Sequence, residues 1–358
     1  MAKKKDDEEN TNKQNEFTDR IYDEIEKEYG KDILIDGNSV LDEVRQIIPV
    51  SPAIDIITSG GIQEGSWVGI TGNPKIGKTV MCLSFAAQCQ KPEYGSRPIF
   101  YNKVEGRFSS LHVKGIQGLD TSRGKFNIIQ STKDKILTSQ EHLAILTKIL
   151  RTVPKAVVII DSISAYCDEK EMSDGVGTET RGGGAKIFSQ FCRLMNNVIP
   201  TQKSIVMGIT HLISNTSGFG APLIERVCRM WSYQADYQLR AVQKKPWKSG
   251  ETQIGLITEW ICNSSALGAP GGKIESYLRF GTGIDRLFEL MTLATEANLI
   301  KKAGAWISMP FLDDELDEPL KPLQGAEKVY DLLLKNPQWV KILEKKVFEM
   351  AGMLAGSE

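Results

Sequence analysis

The sequence predicts an α/β protein with a mostly parallel central sheet, and three observations predict it. Continuously apolar runs recur at 66–71, 98–101, 156–160 and 204–209. Longer amphipathic stretches separate them, as helices covering both faces of a parallel sheet would. The first run leads directly into Gly72-Asn73-Pro74-Lys75-Ile76-Gly77-Lys78-Thr79, which meets the spacing G-x-x-x-x-G-K-T. A strand before this loop and a helix after it are the context that a phosphate-binding loop requires. With 358 residues and 41% hydrophobic content, the chain suffices for one large core and a small additional domain.

Taken in order, residues 1–15 are highly polar and are expected to be disordered. In the following segment, 16–50, Phe17, Ile21, Ile25 and Tyr29 recur every fourth residue, which predicts a helix ending near Gly30 with one apolar face. That face must be buried, either on the chain's own core or on a neighbouring subunit. The core spans 51–284. Its later strands, 235–242, 252–261 and 273–280, alternate more strongly and are expected to be antiparallel. From Asp285 to the end the pattern returns to helices, interrupted by the acidic loop 313–318.

Composition excludes several classes. Lys and Arg total 44 against 45 Asp and Glu, so a nucleic-acid site must be a local patch or a surface made by assembly. The six cysteines form no C-x-x-C pair and histidines number three, which argues against a zinc site and for reduced core thiols. No apolar run is long enough to span a membrane, and the N-terminus has no signal-peptide core. A cytoplasmic protein without a membrane partner is expected.

The loop 72–79 has the chemistry for a nucleoside triphosphate. Its glycines let backbone amides turn towards phosphate oxygens, and the helix opening at Val80 adds its dipole. Lys78 brings a mobile positive charge to the outer phosphates, and Thr79 offers a hydroxyl to Mg²⁺. The run 156–160 ends in Asp161, placed as a second magnesium-side oxygen; capping of the next turn is the alternative. Hydrolysis needs a group that activates water. Glu105 is the first candidate, on the expectation that strand 98–101 neighbours the loop's strand; a solvent-facing carboxylate is the alternative.

These residues resemble the RecA-type homologous recombinases, including the phage UvsX recombinases, from about residue 17 to near the C-terminus. Besides the phosphate loop, the resemblance rests on 20–34, on 100–105, on Ile160-Asp161-Ser162, on 299–306, and on Lys335-Asn336-Pro337 with 342–347. It implies a RecA-like ATPase core, an N-terminal oligomerisation helix and a small C-terminal α/β domain. It also implies ATP and Mg²⁺ as cofactors, with Glu105 as the water-activating base. By the same resemblance His211 senses the γ-phosphate and starts the second DNA loop, His112 lies against adenine, and Trp231 packs across a subunit interface.

The DNA loops fall at 168–187 and 212–230. Arg181, Gly182, Lys186, Ser189 and Arg193 in and after the first suit phosphate contact, because small residues let the backbone approach. Phe219 in the second could stack on bases, and Arg226 could supply a side-chain contact. Two departures stand out. Glu225-Arg226 replaces a Gly-Gly pair, and Cys262 to Ala266 holds no cation where the family reaches across the filament interface. Slow or differently activated ATP turnover is expected, because trans cations stabilise the transferring phosphoryl group. The implied activity is a DNA-dependent ATPase that forms helical filaments on single-stranded DNA and exchanges strands with a homologous duplex. A loader or single-strand-binding protein would be a further partner. The alternatives are a RecA-like paralogue that does not exchange strands, or a RecA-core helicase.

Overall fold

The computed structural model describes residues 17–41, 43–106, 108–166, 183–215, 223–225 and 228–353. Its main sheet grows outward from β1 (Trp67–Gly72), every residue of which is buried. In chain order follow β2 (Ile99–Lys103), β3 (Phe126–Ile129), β4 (Val157–Asp161), β5 (Ile205–Ser214), β6 (Tyr237–Ser249), β7 (Thr252–Ser264), β8 (Lys273–Arg279) and β9 (Gly283–Ile284). Across the sheet they lie β9-β8-β7-β6-β1-β5-β4-β2-β3. The strands from β6 to β3 are mutually parallel. The strands β6, β7, β8 and β9 pair antiparallel. Of the three strands expected to be antiparallel, β6 is so only towards β7; its other edge is parallel to β1.

The alternation of side chains along each strand sends one set to each face. Val157 and Ile159 join Ile70 and Ile99 in one cluster with Met81 and Phe85 of helix α1 (Lys78–Cys89). Val158 and Ile160 join Trp67 beneath α2 (Ser139–Thr152) and α3 (Gly183–Met195). Helices therefore cover both faces, and continuous apolar strands are the sequence consequence. Helix α2 begins where Thr138 and Glu141 cap each other, Thr138 Oγ1 accepting from the Glu141 amide at 3.2 Å and Glu141 Oε2 from the Thr138 amide at 2.9 Å.

Beyond β9, α4 (Arg286–Glu296) starts on Asp285, whose carboxylate accepts from the Phe288 amide at 3.0 Å. Three short strands at 301–303, 306–308 and 323–324 and helices α5 (Ala326–Lys335) and α6 (Pro337–Met350) complete the C-terminal part. They bury their own apolar cluster, including Leu290, Ile307, Val329 and Leu343. The chain divides into two compact units at Arg45/Gln46. In the first, residues 17–29 are helical, and Gly30 ends the helix at φ 107°, its amide donating to the Glu26 carbonyl at 3.0 Å. Among the described residues, five cysteines are free and buried, and no helix is long and apolar enough to cross a membrane.

Candidate functional site

The phosphate loop joins β1 to α1 under tight steric control. Gly77, the N-cap of α1, has φ 103°, and a β-carbon there would meet Leu278 Cδ1 at 2.2 Å. At Gly72 a β-carbon would meet the Ala241 carbonyl oxygen at 2.7 Å. The antiparallel extension clamps the loop from outside: Thr258 Oγ1 donates to the Ile76 carbonyl at 2.9 Å, and Lys244 Nζ to the Lys75 carbonyl at 3.0 Å. No side chain caps the first turn of α1, so its amides remain available for an anion.

Lys78 is buried, and its ammonium donates to the carbonyls of Gly72 and Asn73 at 2.6 and 2.8 Å. Burial pulls its pKa down to about 8, against the opposing pull of Asp161 and Glu105. Thr79 Oγ1 donates to Asp161 Oδ2 at 2.9 Å, and Tyr101 Oη donates to the same oxygen at 2.5 Å. The Asp161 carboxylate thus faces the phosphate loop. Among the described residues no group of three or more His, Cys, Asp or Glu could hold a metal. The Thr79–Asp161 oxygen pair nonetheless fits Mg²⁺, which takes few protein ligands and completes its shell with phosphate and water.

Glu105 reaches this site by a route that differs from expectation. Strand β2 does not neighbour β1; β4 and β5 lie between them. The chain leaving β2 bends back over the end of β4, because the amides of Val104 and Glu105 both donate to the Asp161 carbonyl, at 3.1 and 3.3 Å. Glu105 Oε1 then lies 2.7 Å from His211 Nε2 and accepts from Ser162 Oγ. His211 stands within β5 rather than after it, paired with Gly72 of the phosphate loop. Its amide donates to Ser164 Oγ at 3.0 Å.

Lys78, Thr79, Tyr101, Glu105, Asp161 and His211 line one cleft of about 620 Å³, which also takes in Pro74, Lys75, Val80, His112 and Phe280. His112 closes one end of a ring stack: it lies 5.5 Å from Phe108, which lies 4.0 Å from Tyr101. Ser109 fixes the imidazole through its amide, 3.2 Å from Nδ1. Phe280, which also lines the cleft, is 59% exposed, a flat apolar ring available to a ligand. Tyr101, Ser162, Lys244 and Phe280 were not foreseen as site residues. Tyr101 carried a signal: a phenol in an otherwise apolar strand needs a polar partner.

Of the residues assigned to DNA, Arg181, Gly182, Phe219 and Arg226 lie outside the described residues. Lys186 and Arg193 are exposed on α3, and Ser189 lies on the same side at helical spacing. Ser189 Oγ donates to the Ala185 carbonyl at 2.8 Å, so its proton is engaged within the helix. The last residues of the expected first loop are helical, since α3 begins at Gly183. The expected second loop is strand at both roots: residues 212–214 pair antiparallel with 223–225, matching the β propensity of these aliphatic runs.

Trp231, expected at a subunit interface, is buried in its own chain. Its ring lies 5.8 Å from Trp67 and 5.6 Å from Phe188. A β-carbon on Gly208 would come within 2.6 Å of it, so a glycine in β5 makes the space. Lys273, the lysine nearest the cation-free segment 262–266, pairs with Glu259 of its own chain at 2.9 Å.

The RecA N-terminal domain model matches residues 17–285. The chain is 27% identical over 342 residues to Protein RecA of Thermus thermophilus, covering 93% of this chain and 94% of that protein. It is 26% identical over 336 residues to Protein RecA of Thermotoga petrophila, covering 92% and 90%. Protein RecA of Geobacter metallireducens is 26% identical over 334 residues, covering 92% and 93%. With this match over most of its length and a phosphate loop set in a mostly parallel sheet, the chain belongs to the RecA family.

Proposed function

We propose that this protein is an ATP-dependent homologous recombinase that forms helical filaments on single-stranded DNA and pairs it with a homologous duplex. One observation carries the reading. Lys78, Thr79, Asp161, Glu105 and His211 converge on a single cleft at the carboxyl ends of β1, β2, β4 and β5. The expected first DNA segment follows β4 in the chain, and the expected second begins within the last residues of β5.

In this reading the amides opening α1 and the Lys78 ammonium bind the outer phosphates. Thr79 and Asp161 hold Mg²⁺, which supplies charge neutralisation to the phosphate oxygens. Glu105 orients water and takes its proton, while His211 and Ser162 hold the carboxylate in place. His211, at the root of the second DNA segment, senses the γ-phosphate; His112 and Phe280 flank the base. The helix 17–29 docks on a neighbouring subunit, and residues 285–358 form the small C-terminal domain. Lys186, Arg193 and the segments 168–187 and 212–230 hold DNA through its phosphates, leaving sequence reading to base pairing.

A second reading, a paralogue that binds DNA without exchanging strands, is favoured by the absence of a cation in 262–266 and by the engagement of Lys273 with Glu259. Electron microscopy with single-stranded DNA and a non-hydrolysable ATP analogue, followed by a D-loop assay, separates the two. Long filaments and D-loops are expected. Filaments without D-loops would favour the paralogue, and closed rings a helicase.

A further inference from the structure

Beneath the cleft a short polar chain crosses otherwise apolar packing. Asn102 is fully buried on β2, three residues before Glu105. Its Oδ1 lies 2.7 Å from His142 Nδ1 on α2, and its Nδ2 donates to Tyr166 Oη at 2.8 Å. His142 and Tyr166 are themselves buried. By occupying Oδ1, His142 leaves the amide one orientation in which Nδ2 meets Tyr166. Asn102 cannot shift independently, because its backbone is held in register with Ile160 of β4 and Ile129 of β3.

Tyr166 immediately precedes the segment that leads to the first expected DNA loop. Its ring stacks on Phe188 of α3 at 5.6 Å and 28°, and α3 carries Lys186, Ser189 and Arg193. Phe188 touches Trp231, which follows the second expected DNA loop. One contiguous set of side chains therefore runs from the strand of Glu105 to the roots of both loops. A hydroxyl bonded to a buried amide is directional, whereas ring packing tolerates sliding. The hydroxyl is thus the part of Tyr166 that fixes loop against strand.

We propose that Tyr166 is a positioning residue that couples nucleotide to DNA: its hydroxyl, held by the Asn102 amide, ties the root of the first DNA loop to the strand presenting Glu105. The proposal rests on the recombinase reading above. Coupling between two sites is reciprocal, so DNA that settles the loop settles Glu105, and nucleotide that settles Glu105 strengthens DNA binding.

Tyr166→Phe removes one oxygen and keeps the ring on Phe188. The affinity for fluorescent single-stranded DNA is measured with and without a non-hydrolysable ATP analogue, beside ATPase rates with and without DNA. The ratio of the two DNA affinities is expected to fall roughly 2- to 30-fold, the range seen for mutations that modulate coupling. The DNA-stimulated increment of ATPase falls with it, while nucleotide affinity stays unchanged. His142→Ala, which frees the Asn102 amide to turn over, is expected to lower the same ratio. The double variant should lose no more than the larger single loss, because both act through one amide. An unchanged ratio in Tyr166→Phe, including the case where DNA binding weakens equally with and without nucleotide, overturns the proposal. Losses that add fully in the double variant overturn it as well. If the unsubstituted protein binds DNA without regard to nucleotide, the recombinase reading itself fails, which the wild-type arm alone reveals.

Discussion

Raising the pH from 7 to 9 is expected to weaken ATP binding about tenfold through Lys78 alone. Burial brings this ammonium's pKa down to about 8. It is then protonated in about nine of ten molecules at pH 7 and about one in ten at pH 9. Bound phosphates favour the ammonium, so its pKa rises in the complex and binding above pH 8 takes up a proton. Affinity must therefore fall as pH rises past 8, approaching about one decade per unit. Titration with a fluorescent ATP analogue from pH 7 to 9.5 measures the slope. Calorimetry in two buffers of different ionisation enthalpy counts the protons. Lys78→Arg keeps its charge throughout this range and should give a flat profile at whatever affinity it retains. A flat wild-type profile to pH 9.5 without proton uptake would refute the argument that burial depresses Lys78.

Three further outcomes are expected. Glu105→Gln, which keeps the shape beside Ser162 and His211, should lower turnover about 10²- to 10⁴-fold in an ATPase assay while leaving nucleotide affinity within a few-fold; near-normal turnover would remove Glu105 from the chemistry. Glu64→Leu should cost about 3–5 kcal/mol in urea unfolding, because the fully buried Arg97 guanidinium would lose its carboxylate partner. A loss below about 1 kcal/mol would mean that this buried pair is uncoupled from folding. His142 gives a pH dependence of stability: burial lowers its imidazole pKa below 6.5. Below that pH the unfolded chain binds more protons than the folded one, so stability should fall as pH drops through 6.5 towards the folded value. Thermal unfolding of His142→Asn should show a flatter acid limb than the wild type.

The candidate site was partly legible because some of its parts are local. Lys78 and Thr79 are dictated by a loop spacing that backbone geometry enforces. Asp161 is marked as the acid that ends an apolar strand. Glu105 was identified for the wrong geometric reason. It was expected beside the phosphate loop through adjacent strands, yet two strands intervene and the turn over Asp161 closes the gap. Tyr101 and Ser162 lie in stretches that carry the family resemblance, yet neither shows a site role in the sequence, because a lone phenol or hydroxyl acquires its partner only in three dimensions. Trp231 shows the same limit from the other side, since an aromatic in a polar stretch does not declare whether its own core or a neighbour will bury it.

By itself, the sequence determined the elements that depend on near neighbours: the phosphate loop, the apolar strands and the helix ending at Gly30. Steric limits on the backbone and side-chain periodicity act within a few residues, so they are written along the chain. Only the tertiary structure decided the strand order, and with it the meeting of Glu105 and His211 across 106 residues. Strand order follows from how all apolar faces are buried together, a condition on the whole molecule that no local stretch encodes.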